Sequence, residues 1–123
     1  MLAWLEGGGR ADATYKRGKA SGLTLLMTAA SYGHERVVDL LLQHGAEVNM
    51  QESDGWTALM CAANYGHERV VELLIRRGAE INLQRSDGYT ALMRAAVFNH
   101  PAVMRRLLQA GADAARSVDG KTA

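Results

Sequence analysis

DGWTALMCAANYGHERVVELLIRRGAEIN, residues Asp54–Asn82, decides the fold because the chain repeats it. It recurs upstream as SGLTLLMTAASYGHERVVDLLLQHGAEVN (Ser21–Asn49) and downstream as DGYTALMRAAVFNHPAVMRRLLQAGADAA (Asp87–Ala115). Thr24, Thr57 and Thr90 mark the period, each 33 residues from the next. A unit of that length is one supersecondary element that cannot bury its own apolar face, so copies must stack.

Each unit reads as two helices and a finger. Thr57 is a good N-cap, its hydroxyl accepting from an orphan N–H, and Ala58-Leu59-Met60-Cys61-Ala62-Ala63 favours helix. Ala29-Ala30, Ala62-Ala63 and Ala95-Ala96 are small enough to let neighbouring helices approach closely. Gly33, Gly66 and Asn99 end this helix, being the residue types that accept a left-handed terminus most readily. A second helix begins after His34, His67 and His100, with Pro101 in a first turn where its missing N–H costs nothing. Val70, Val71, Leu73 and Leu74, with their equivalents in the other units, supply its buried stripe. Gly45, Gly78 and Gly111 stop it, and a turn-rich finger such as Ala79–Asp87 leads to the next threonine.

The shared pattern, Gly-x-Thr-x-Leu-x-x-Ala-Ala-x-x-Gly-His-x-x-Val-Val-x-Leu-Leu-x-x-x-Gly-Ala-x-x-Asn, resembles the ankyrin repeat from Ser21 to Ala115. The resemblance implies an all-α solenoid of stacked helix-turn-helix units with β-turn finger loops. It divides the chain into repeats over 20–115, in units of about 21–53, 54–86 and 87–118, and a truncated fourth start at 119–123. Residues 1–19 read either as half of an earlier repeat or as a flexible N-terminal segment. The family's Thr-Pro-Leu-His appears as Thr24-Leu25-Leu26-Met27, Thr57-Ala58-Leu59-Met60 and Thr90-Ala91-Leu92-Met93. Loss of the Pro and the His predicts an apolar contact in place of the family's Thr–His hydrogen bond.

Composition narrows the function. With 48% apolar and 22% charged residues in 123, the chain is an ordinary folded protein, and a net charge of +1 makes no case for nucleic acid or an anionic membrane. Lys16, Arg17, Lys19, Arg76-Arg77 and Arg105-Arg106 are diluted by nearly equal acid. The opening MLAWLEGGG is too short an apolar run for a signal peptide, and no stretch has the length of a membrane span. One cysteine and no leader fit an intracellular location, cytoplasmic or nuclear.

Candidate chemistry is sparse. His34, His67 and His100 fall about 10 Å apart in a stack of packed helices, whereas zinc ligands lie about 2 Å from one ion. A structural role at the start of each second helix fits better, with His44 exposed. Cys61 and His67 are separated by the helix stop at Gly66, and Thr28 and Arg94 hold the Cys61 place elsewhere, which predicts a tolerant, partly buried position. Glu35, Glu68, Asp39 and Glu72 read as a solvated face whose ion pairs are weak. The glycines are helix stops and form no phosphate loop. The expectation is therefore no catalytic, metal or cofactor site.

The aromatic residues point to binding. Leu23, Trp56 and Tyr89 hold one place in the repeat, and Tyr32, Tyr65 and Phe98 a second. The resemblance implies a concave groove formed by finger tips and first-helix ends. It would be lined by these residues and flanked by Ser53, Asp54, Asn64, Arg85 and Ser86. Tyr and Trp offer large contact area at low rotamer cost; equally, such rings can pack on the adjacent repeat and serve stability alone. The sequence thus predicts a non-catalytic module that binds a protein partner, with no nucleic acid and no membrane. The alternative is a structural spacer, and self-association through uncapped repeat ends is the further contact left open.

Overall fold

Local capping places the helices. The computed structural model describes residues 14–17 and 20–112, with side chains described from Thr24 onward. Thr24, Thr57 and Thr90 accept at Oγ1 from the backbone N of Met27, Met60 and Met93 (3.1, 3.2 and 3.3 Å). They start α1 (Leu25–Ser31), α3 (Ala58–Asn64) and α5 (Ala91–Val97). The caps form without the Pro and His of the family tetrapeptide, because the threonine hydroxyl needs only an orphan N–H three residues on. Second helices follow as α2 (Glu35–Gln43), α4 (Glu68–Arg76) and α6 (Pro101–Gln109). The fold is all-α, six helices in three stacked pairs among the described residues.

A short hairpin precedes the first pair. Strand β1 (Thr14–Arg17) pairs antiparallel with β2 (Ala20–Thr24), Thr14 opposite Thr24 and Tyr15 opposite Leu23, with an irregularity between Tyr15 and Arg17. The later fingers close more tightly. Glu52 N donates to Trp56 O (3.0 Å), and Arg85 N to Tyr89 O (2.8 Å). The reading of residues 1–19 as part of an earlier repeat or a flexible segment lies outside the described residues except for β1, and the readings of 113–123 as a repeat end and restart lie wholly outside them.

Stacking buries the core. Helix α3 packs between α1 and α5, and each first helix lies against the second helix of its own unit. All seven residues of α3 are buried, Ala62 and Ala63 completely, because helices flank it on both sides. Met27 and Met60 are buried in the same cluster as Leu26 and Leu59, so methionine replaces the family's polar contact with packing. Leu41, Leu74 and Leu107 anchor the second helices, each fully buried and contributing about 1.5–3 kcal/mol.

Histidine joins the units. His67 Nε2 donates to the carbonyl of Ser31 (2.8 Å), and His100 Nε2 to that of Asn64 (3.0 Å). Each bond satisfies a carbonyl at the end of the previous first helix, where helical partners run out. This is the structural role the spacing predicts. His34 instead is exposed and stacks on Tyr32, centroids 6.1 Å apart.

The carboxylates do more than solvate a face. Arg77 pairs with Asp39 (2.6 Å), and Arg106 with Glu68 (3.1 Å) and Glu72 (3.6 Å), linking consecutive second helices; Glu72 also pairs with Arg76 (2.7 Å). The Arg76 hydrogen bond, then the Arg106 charge, hold the Glu72 carboxyl below its usual range. The within-helix expectation missed Arg77 and Arg106 because they stand more than a repeat away, 38 residues along the chain from Asp39 and Glu68.

Gly66 turns the chain at φ +76°, and a Cβ there would stand 2.6 Å from His100 Nδ1. Asn99 takes the equivalent turn at φ 57°. Gly66→Ala is expected to cost about 2 kcal/mol or more, from left-handed strain plus displacement of His100. Urea denaturation checks this: the loss should be smaller in a His100→Ala background, since half of the conflict is then gone.

Candidate functional site

The finger before Thr57 (residues 46–56, finger two) and the finger before Thr90 (residues 79–89, finger three) meet at Gly55, where an added Cβ would stand 2.9 Å from Arg85 Cα and 3.1 Å from Ser86 N. No side chain fits, so the fingers stack in backbone contact. Ser86 donates to the Asp54 carbonyl from its N (2.9 Å) and its Oγ (3.1 Å). Gln51 Nε2 bridges the Gly55 and Gln84 carbonyls (2.9 and 3.2 Å). Finger two is also braced from within. The buried Glu52 carboxylate accepts from Asp54 N (2.8 Å), Trp56 N (3.0 Å) and Ser53 Oγ (3.2 Å).

This brace aims Trp56 and Tyr89 at two guanidinium groups. Arg85 Cζ lies 4.4 Å from the Trp56 ring centroid and 5.8 Å from that of Tyr89. Arg94 Cζ lies 5.5 Å from Trp56, 5.4 Å from Tyr89 and 5.1 Å from Phe98. Such cation–ring contacts contribute about 0.5–2 kcal/mol each, more as water is excluded. Asn64 Oδ1 accepts from Arg94 Nε (2.9 Å), and Arg85 pairs with Asp87 (2.6 Å). Arg85 Nε is buried with no hydrogen-bond partner among the described residues.

The expected binding residues therefore separate. Trp56, Tyr89, Phe98 and Arg85 come together around Arg94. Trp56 is half-buried against the core, while Tyr32, Tyr65 and Phe98 are exposed at 56%, 59% and 50%. Ser53, Asp54 and Ser86 are exposed at the finger tips. Asn64 is buried, its side chain spent on Arg94 and its carbonyl on His100. Leu23 sits in β2, and its side chain lies outside the described ones.

Arg94 is the residue that sequence reasoning passed over. It stands four residues before Phe98 on α5, one helical turn, which was a local signal. Its contact with Trp56, a full repeat away, had none. Open clefts of about 410 and 250 Å³ lie elsewhere, lined by charged side chains such as Glu35, Asp39 and Arg77, or Glu68, Arg105 and Arg106.

Cys61, expected to be partly buried, is buried between the flanking first helices. Burial pushes its thiol up to about 11; a hydrogen bond with Ser31 opposes this and the Glu52 charge adds to it. Among the described residues, no group of three or more His, Cys, Asp or Glu side chains is placed to hold a metal ion. No helix among them is long and apolar enough to cross a membrane.

Against known proteins, the family model for ankyrin repeats (3 copies) matches residues 2–85 and 26–118. No curated protein matches the chain.

At pH 8 only about one thiol in a thousand would be ionised at Cys61, and the thiolate is the reactive form. A disulfide exchange reagent is therefore expected to modify the native chain orders of magnitude more slowly than the urea-unfolded chain. Because folding raises this pKa, its stabilising contribution is complete below about 9 and is lost as pH rises through about 11. Rapid native labelling at pH 8 would refute the buried, protonated thiol.

Proposed function

The chain belongs to the ankyrin-repeat family, and on that premise we propose that it is a non-catalytic module binding a protein partner through the face formed by its finger tips and first-helix ends. In the family's arrays this is the concave side. The observation that carries the reading is the cluster of Trp56, Tyr89 and Phe98 around Arg94. Core packing does not require a solvent-facing aromatic there, yet Phe98 is half exposed and Tyr65 beside it in register is more so. Aromatic side chains with a polar edge and an immobilised arginine are the residue types that dominate binding energy at protein interfaces. The rigid fingers, locked through Gly55 and Ser86, support the same reading because little ordering is left to oppose association.

Trp56→Ala and Tyr65→Ala are expected to weaken a partner's binding by about tenfold or more each. Tyr65→Ala should leave the helical circular dichroism unchanged, and Trp56→Ala, which loses packing, should lower the melting temperature without abolishing the signal. Normal binding by both variants would remove the groove from consideration.

A second reading, a structural spacer that docks further repeats, is favoured by one specific feature. Val97 and Leu108 are 55% and 45% exposed, whereas their equivalents Asn64 and Ile75 are buried or packed on the core. Asn64 is bonded by Arg94 and His100 of the next unit, so the Val97 place faces the side where a further unit would stack. Sedimentation of the chain over a concentration series separates the readings. Concentration-dependent association that Val97→Glu abolishes supports end-face docking, and a monomer throughout supports the binding module.

A further inference from the structure

We propose that Arg94 anchors a carboxylate of an acidic partner segment, with an apolar partner side chain resting on the flanking Phe98; this rests on the groove reading above. Among the described residues, Arg76, Arg77, Arg85 and Arg106 each pair with a carboxylate; Arg36, Arg69, Arg94 and Arg105 do not, and of these four Arg94 is the one set among aromatic rings. Its Nε is committed to Asn64, so the edge carrying both terminal nitrogens is the one left for a ligand. That edge matches a carboxylate in the two-pronged geometry arginine favours. The rings of Trp56, Tyr89 and Phe98 stand 5.1–5.5 Å from the guanidinium carbon, displacing water from around it. A cation so held is short of hydration and fixed in orientation, and an incoming anion gains on both counts.

The same geometry decides what the site rejects. The ring faces that would receive a lysine or a methylated ammonium already carry the chain's own guanidinium groups. Single-stranded RNA would suit an arginine among aromatic rings. Asp54, on the adjoining finger tip, opposes a run of phosphates more strongly than a single carboxylate, and the chain's net charge of +1 offers no compensating field. Arg85 is already neutralised by Asp87, so the unanswered positive charge in the cluster is that of Arg94. One carboxylate satisfies it.

The test is selection of random short peptides displayed on phage against the full chain, followed by titration of the enriched peptides. Enriched sequences should share an Asp or Glu next to an apolar residue. Changing that acid to its amide should weaken binding to the native chain by about 10- to 100-fold. The same change should have little effect on the Arg94→Gln chain, and Arg94→Lys should recover only part of the loss. The amide comparison on the native chain keeps the inference open to refutation even if Arg94→Gln fails to fold. Peptides that depend on Tyr65 and Trp56 but carry no required acid would overturn the carboxylate anchor and leave the groove standing. Peptides indifferent to those residues, or no enrichment, would overturn both. Arg94-dependent binding of a uridine oligonucleotide tighter than any peptide would also overturn the anchor.

Discussion

The structure depends on close contact between consecutive first helices, and that contact is possible only because each presents alanine where its neighbour approaches. Ala30, Ala62, Ala63 and Ala95 have no exposed surface. Larger side chains there would push the helices apart and break the histidine bonds to Ser31 and Asn64, whose lengths of 2.8 and 3.0 Å leave no slack. Gly66 is part of the same arrangement, since the left-handed turn it makes also leaves room for the His100 ring. Packing, capping and the inter-repeat hydrogen bond are thus one constraint met by a few small residues. No repeat meets it alone.

The proposed binding face inherits its geometry from that stack. Trp56 and Tyr89 occupy one place in successive units, so the repeat spacing sets their separation, and backbone contact at Gly55 removes the freedom that loops usually have. Arg94 enters from α5 and closes the cluster. In the preceding unit the same place holds Cys61, buried and protonated because helices cover it on both sides. One position in the repeat therefore carries a buried thiol in the middle unit and an arginine among rings in the next. The third unit has fewer neighbours, and a long charged side chain there can reach the groove.

The helices, their caps and their stops were legible because each rests on interactions within a few residues. A threonine caps the third amide after it, and Gly66 or Asn99 turns the chain locally. The aromatic places were legible too, as a repeat converts spacing along the chain into stacking in space. Less was visible wherever a side chain chose between neighbours. Asn64 read as a polar flank of the groove, and it lies buried beneath Arg94. Glu68 and Glu72 read as solvated, and they reach Arg106 in the next unit. Glu52 gave no sign of its buried, turn-closing role.

By itself the sequence determined the period, the helix boundaries, the family and the two places in the repeat where aromatic residues recur. The tertiary structure alone decided which of those residues meet, that Arg94 stands at their centre, and that Asn64 holds it in place. The physical reason is distance along the chain. Periodicity and capping are written in adjacent residues, whereas the side-chain partnerships around Arg94 join positions about a repeat apart and are settled only when the units stack.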